Sequence, residues 1–462
     1  MELTSVAGLI KNGEISVLEV VSHCLKEIES RDAELACFRE MEVESALEKA
    51  RGADQIRSSG MSLGPLHGVP LAHKDIFYRQ GKVMTAGSPI LSEFKPDYES
   101  TVTRRLAHAG AINVGTLQSA EFAMSPTGYN AHIKPVRNPW SKNHAPGGSS
   151  MGSGAAVAAG MVYASMGTDT GGSVRHPAAV CGVLGVKPSQ GRISTHGVYP
   201  LAPSLDCPGI LARSARDAAR ILAVVAGHDA ADRSSSSVEV ANYEDMLTGD
   251  LRGLRIGVPD DYYFDLIDDQ IRERVETSLE VFKELGVACV PVNLIDMEEV
   301  NQLARTVITR EAATTHASLL ADRPEDFSPQ VRSRIEPGLD IDANHYQNAI
   351  EIRERVAESF CQASLLEVDL LHIPCVPIPT PEIEAEATAG LEEALLLIDK
   401  FTRCTRGINY LGLPAVSVPC GFVEHGLPAA FQLVGRPFEE GLLLKAADAY
   451  QRETFWHRKE PS

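Results

Sequence analysis

Residues Ala145 to Arg175 read APGGSSMGSGAAVAAGMVYASMGTDTGGSVR, and the reading of this stretch decides the fold. A Gly/Ser loop, Gly147-Gly148-Ser149-Ser150, opens it. The small-residue run Gly152 to Gly160 predicts a tightly packed helix and Met161 to Met166 a short strand. A second Gly-rich turn follows, Asp169-Thr170-Gly171-Gly172-Ser173. A loop–helix–strand–loop unit of this length returns both loops to the same end of a sheet. Glycine lets backbone N–H groups come close to a substrate atom. A serine hydroxyl attacks a carbonyl carbon only when another group takes its proton.

Three other readings of the stretch compete. A flexible linker has this composition, but it should not run directly into an apolar helix and strand. A phosphate-cradling loop needs Gly-x-x-x-x-Gly-Lys-Ser/Thr or Gly-x-Gly-x-x-Gly, and neither occurs here. Gly148-Ser149-Ser150-Met151-Gly152 matches the Gly-x-Ser-x-Gly elbow, which would make Ser150 the nucleophile. That elbow needs a strand immediately before it, and the polar run Trp140 to Pro146 predicts none.

The paired pieces Gly147-Gly148-Ser149-Ser150 and Gly167-Thr168-Asp169-Thr170-Gly171-Gly172-Ser173-Val174-Arg175 resemble the signature of the amidase signature family, serine hydrolases that cleave C–N bonds. So does Gly64-Pro65-Leu66-His67-Gly68-Val69-Pro70-Leu71-Ala72-His73-Lys74-Asp75, a Gly-Pro-Leu-x-Gly-Val-Pro segment with a lysine after a strand. The likeness runs from about residue 3 to 457 and is strongest over 64–75, 145–192 and 405–436. It implies one large α/β domain with a central mixed, mostly parallel sheet covered by helices on both faces. The core is expected at about 60–230 and 400–440, N-terminal helices at 3–56, and a mostly helical insertion at about 297–365.

The resemblance also implies a mechanism. Ser173 matches the nucleophile, Ser149 the bridging serine and Lys74 the base, so that a proton passes from Ser173 through Ser149 to neutral Lys74 and back to the leaving amine. Lysine can serve as a base only if burial lowers its pKa. The Gly148–Ser149 bond is expected to be cis. Backbone N–H groups of Thr170, Gly171, Gly172 and Ser173 are expected to form the oxyanion hole. Asp169, Arg175 and Gly148 read as support. For the substrate pocket the sequence offers Met124, Tyr129, Ser150, Leu205 and Ile378, in segments whose apolar residues suggest an uncharged, aromatic acyl or aryl group.

Strand–helix–strand alternation over Leu254–Val258, Asp269–Leu285 and Val287–Val292 predicts parallel pairing. At the N-terminus, Val17, Val20, Val21, Cys24, Leu25 and Ile28 recur at helical spacing, with Ser16 as N-cap and Glu19 three residues on. Glu382 to Leu391 is acidic, Ala-rich and expected to be mobile.

Composition bounds the rest. A net charge of −19 argues against a nucleic-acid partner. No apolar run approaches the roughly 18 to 20 residues that span a bilayer, and the start shows no secretory pattern, so the cytoplasm is the expected compartment. Nine cysteines without a Cys-x-x-Cys read as free thiols. Nothing calls for a metal or an organic cofactor. A small-molecule amide or carbamate substrate follows from the resemblance, as does a homodimer. The alternatives are a ureide (biuret- or allophanate-like) amidohydrolase, the glutaminase subunit of a tRNA-dependent amidotransferase, and a non-catalytic scaffold. Against the glutaminase stands His176, where those subunits usually carry glutamine.

Overall fold

Short apolar runs alternate with amphipathic helices, and the computed structural model gathers those runs into one eleven-stranded sheet. The structure describes residues 1–61 and 63–461. The strands are β1 (Phe38–Met41), β2 (Pro70–Lys74), β3 (Ile112–Leu117), β4 (Ala164–Thr168), β5 (Leu184–Lys187), β6 (Pro208–Ala212), β7 (Arg255–Val258), β8 (Ala288–Pro291), β9 (Leu370–Pro374), β10 (Ala415–Phe422) and β11 (Pro428–Val434). Their order is β1-β3-β2-β4-β6-β5-β10-β11-β9-β7-β8.

The sheet is mixed, as expected, but its parallel share is smaller than expected. Only β2/β3, β2/β4, β7/β8 and β7/β9 pair parallel. The centre, from β4 through β6, β5, β10 and β11 to β9, is antiparallel throughout. The reason is connection length. A parallel neighbour needs a crossover of a dozen or more residues, whereas β10 turns into β11 through a short turn around Glu424–Gly426. The β7–helix–β8 unit does pair parallel, as its alternation predicts, across the helix Asp269–Glu284.

The parallel pairing that positions the site is β2 beside β4, with Ala72 opposite Ser165 and His73 opposite Met166. Both strands are buried along their whole length, which suits parallel strands covered on both faces. They therefore end at the same edge, bringing Lys74 and Thr168 together. Every residue of the helix Met151–Ala158 is buried, so the serine loop before it is anchored in the interior. At the N-terminus, Ser16 and Glu19 form the expected capping box on Val17–Leu35, worth about 1 kcal/mol. The segment 382–391, expected to be mobile, contains a short helix, Ala385–Thr388, whose Glu386 is buried. All nine cysteines are free. Among the described residues no helix is long and apolar enough to cross a membrane.

Candidate active site

Lys74 ends β2 and has no solvent exposure. Its Nζ donates to Ser149 Oγ at 2.7 Å and to Thr168 Oγ1 at 3.0 Å. Burial brings its pKa down from 10.5 to about 7, and the charges of Asp206 and Asp169 oppose that fall. A lysine in this state is neutral for part of the time at neutral pH, which a proton acceptor requires.

Ser149 follows a cis peptide bond with Gly148. No larger residue fits at Gly148: a Cβ there would lie 2.4 Å from the Ser125 carbonyl oxygen and 2.6 Å from the Gly128 nitrogen. The loop is pinned on both sides of Ser149, since Gly148 N–H donates to Pro126 O at 2.6 Å and Ala120 N–H to Ser149 O at 3.1 Å. Ser150 N–H donates to the Ser173 carbonyl at 3.3 Å, which joins the serine loop to the second Gly-rich turn. Lys74 and Ser149 are thus hydrogen-bonded directly. Among the described residues, Ser149 and Ser173 are joined through this neighbouring backbone bond rather than hydroxyl to hydroxyl.

The turn 169–175 is organised by Asp169. Its carboxylate accepts from the N–H groups of Gly172 (2.8 Å), Val174 (3.2 Å) and Arg175 (3.3 Å). It also accepts from Arg175 Nε and Nη2, both at 3.0 Å. Burial alone would raise the Asp169 pKa; the Arg175 charge and hydrogen bonds outweigh it and hold the carboxyl well below its ordinary value. Arg175 in turn reaches Gln432 Oε1 (2.9 Å), Thr405 O (3.1 Å) and Asn409 Oδ1 (2.6 Å), so the turn is braced against the C-terminal part of the chain. The oxyanion expectation narrows here. Gly172 N–H is taken by Asp169, whereas those of Thr170, Gly171 and Ser173 have no hydrogen-bond partner among the described residues. A second brace runs through Thr405, whose Oγ1 hydrogen-bonds His176 Nε2 at 2.7 Å and donates to Gly171 O at 2.8 Å. Burial pushes the His176 pKa down to about 3, so this imidazole is neutral.

Thr170, Gly171 and Ser173 open onto a cavity of about 310 Å³. Met124, Pro126, Leu201, Ile308 and Ile398 supply an apolar wall, and Arg305, Arg334, Asp399 and Arg406 supply charge. The charged group corrects the expectation of an uncharged pocket. Asp399 accepts from Arg406 Nη2 at 2.7 Å and from Arg305. Arg334 donates to the Met124 carbonyl, and among the described residues no carboxylate lies within 4.0 Å of it. Burial lowers its pKa to about 10, and the Glu386 charge opposes this; the guanidinium stays positive at neutral pH.

Met124 lines the cavity as the sequence suggests; Tyr129, Ser150, Leu205 and Ile378 do not. Ser150 Oγ is turned inward onto the Thr168 backbone, at 3.3 Å from both its carbonyl and its amide. Leu205 is wholly buried in the main core, and Ile378 packs against the cluster beneath the N-terminal helices. Tyr129 is half-buried, its N–H on Ser125 Oγ at 3.1 Å. Arg334 lies in the helix Pro329–Ile335 of the segment expected to approach the site, but nothing in its local pattern singles it out. The helix Leu391–Thr402, which brings Leu395, Ile398 and Asp399, carries no such signal either.

A family model described as Amidase matches residues 19–444. The amidase-like component of the glutamyl-tRNA(Gln) amidotransferase of Chloroflexus aurantiacus is 40% identical over 484 residues, covering 100% of this chain and 98% of that protein. A protein of a vestigial complex, described as revealing the origins of an s-triazine catabolic enzyme, superposes with a TM-score of 0.92 at 31% identity over 98% of each chain. A bacterial aryl acylamidase superposes with a TM-score of 0.88 at 26% identity, over 99% of this chain and 98% of its own.

Proposed function

This chain belongs to the amidase signature family, and on that premise we propose that it hydrolyses the C–N bond of a small amide whose acyl part carries an anionic group. The observation that carries this reading is the buried Lys74 Nζ–Ser149 Oγ hydrogen bond beside a cavity holding Ser173 and the carboxylate-free Arg334. In the proposed reaction Ser173 Oγ attacks the acyl carbon while its proton passes to Ser149 and that of Ser149 to neutral Lys74. The hydroxyl-to-hydroxyl link has to form as substrate seats, which is usual for catalytic hydrogen bonds. The carbonyl electron pair moves onto oxygen, facing the N–H groups of Thr170, Gly171 and Ser173; each such donor supports roughly 3 kcal/mol of the barrier reduction. Collapse breaks the C–N bond as the proton returns to nitrogen, so an amine or ammonia leaves neutral. Water then repeats the sequence on the acyl-enzyme and frees the acid.

Arg334 favours substrates with a carboxylate, because guanidinium and carboxylate pair through two parallel hydrogen bonds. Carbamates and ureides present the same acyl carbon and stay within the chemistry. A second reading, a glutaminase subunit feeding ammonia to a partner, is favoured by the 40% identity to an amidotransferase component along the whole chain. Glutamine carries both the terminal amide and the carboxylate. His176 in place of the usual glutamine weighs against it.

Ammonia release should be followed from glutamine, from other carboxylate-bearing amides and from their neutral analogues, with p-nitroanilides and aryl carbamates alongside. Wild type is expected to prefer carboxylate-bearing amides, and Ser173→Ala to be inactive. Activity retained in Ser173→Ala would overturn the assignment. Glutaminase activity seen only with a second protein co-purified from the native source would favour the second reading.

A further inference from the structure

We propose that Asp206 is a positioning residue for this reaction: it fixes the oxyanion turn through the Thr170 hydroxyl and sets an uncompensated carboxylate within Coulombic reach of Lys74. The inference rests on the reading of Lys74 as base and Ser173 as nucleophile. Its place follows from the sheet. Thr168 at the end of β4 stands opposite Pro208 at the start of β6, and Asp169 N–H donates to Cys207 O at 2.8 Å. The chain entering β6 therefore runs beside the turn leaving β4, and Asp206 faces Thr170.

Its carboxylate joins two walls of the cavity. Oδ1 accepts from Thr170 Oγ1 at 2.6 Å, and Oδ2 accepts from Leu201 N–H at 2.9 Å. Ala202 N–H reaches both oxygens at 3.2 Å. Thr170 and Leu201 both line the cavity, so one buried side chain sets the distance between the oxyanion turn and the facing wall.

The charges around Lys74 separate into answered and unanswered. Asp169 is paired with Arg175 and lies near Lys187. Asp75, the next residue along the chain, is held by Arg39 and Thr85. Asp206 has only neutral donors on its carboxylate, and no cation lies within 4.0 Å of it among the described residues. Glu311 adds a like charge on its far side, and Gln190 donates to its carbonyl at 3.1 Å. Asp206 is also the first of the two carboxylates that act on Lys74. A buried carboxylate without a counter-ion costs stability, and here its field falls where a lysinium forms in the reaction. That field stabilises the lysinium as Ser173 gives up its proton.

The test uses a fluorophosphonate, which reports Ser173 nucleophilicity whatever the natural substrate. Phosphorus–oxygen bond formation expels fluoride, and the serine proton goes to Lys74. Labelling rates are measured from pH 5 to 10 for wild type, Asp206→Asn, Thr170→Val, Lys74→Ala and Ser173→Ala. Asn at 206 can accept from Leu201 N–H and donate to Thr170 Oγ1, so the geometry persists while the charge goes. The wild-type rate is expected to rise with a midpoint near 7. In Asp206→Asn that midpoint should move down by about one pH unit, as expected for removal of a nearby opposite charge, with a lower plateau. Thr170→Val keeps the charge and should lower the plateau roughly tenfold without moving the midpoint. An unmoved midpoint in Asp206→Asn, or a wild-type plateau in Thr170→Val, overturns the inference. If Asp206→Asn does not fold, the Thr170→Val plateau still decides the positioning role. Undiminished labelling of Ser173→Ala or Lys74→Ala would instead overturn the underlying mechanism.

Discussion

Replacing Lys74 by Met should make the protein more stable and wholly inactive. The wild-type lysine falls from 10.5 to about 7 in the folded chain because it is buried. At about 1.4 kcal/mol per pH unit, holding a charged lysine there costs about 5 kcal/mol. The unfolded chain binds the proton up to the ordinary lysine pKa, while the folded chain releases it near 7. The unfolded state thus holds more protons between these values, and wild-type stability rises with pH across that window. The penalty is full below pH 7 and gone above about 10.5. Methionine has a similar volume and no charge. It removes the hydrogen bonds to Ser149 and Thr168, each worth about 1 kcal/mol. The net gain for Lys74→Met at pH 6 is therefore about 3 kcal/mol, and it should vanish or reverse by pH 10. Equilibrium urea unfolding of both proteins at pH 6, 8 and 10 measures the difference directly. A difference that does not change with pH would refute the lowered lysine pKa, whatever its sign.

Three other substitutions test separate parts of the site. Arg175→Met leaves Asp169 buried without its counter-ion and should destabilise the protein by about 3 to 5 kcal/mol, read as a lower urea midpoint. Gly172 has φ +127°, and a Cβ there would lie 2.2 Å from His176 Nε2. Gly172→Ala should therefore displace the oxyanion turn and slow phosphonate labelling roughly 100-fold. Arg334→Met should raise KM for carboxylate-bearing amides by about 10- to 100-fold. It should leave KM for neutral amides nearly unchanged, which steady-state kinetics on matched substrate pairs would reveal.

The catalytic groups were legible in sequence because each sits in a local pattern with a chemical reason. A lysine closing a buried strand, a serine after two glycines and an Asp-Thr-Gly-Gly-Ser turn can be read within a dozen residues. The strands were also legible, but their directions were only partly so. An apolar run marks a strand without naming its neighbour, and the antiparallel centre of the sheet depends on pairings such as β5 with β10 that are distant in sequence. The cavity wall was the least legible part. Leu205 and Ile378 are apolar and flank family-like loops, yet apolar character cannot separate a core residue from a cavity wall. Arg334 and Asp399 come together with the serine turn only through tertiary packing. Thr405 lay inside a recognised segment, but its bond to His176 requires two distant helices to meet.

The bond-breaking groups and the discriminating groups come from separate stretches of chain. Lys74, Ser149, Ser173 and the turn between them lie before residue 176, whereas Arg305, Arg334, Asp399 and Arg406 come from helices in the later half. Drift in the later helices can therefore retune which amide is accepted while the chemistry stays intact. Such a scaffold can acquire a new substrate without passing through an inactive ancestor. For the laboratory, libraries confined to the helices Met297–Thr315, Pro329–Ile335 and Leu391–Thr402 should yield altered specificity at far higher frequency than libraries spread over the whole chain.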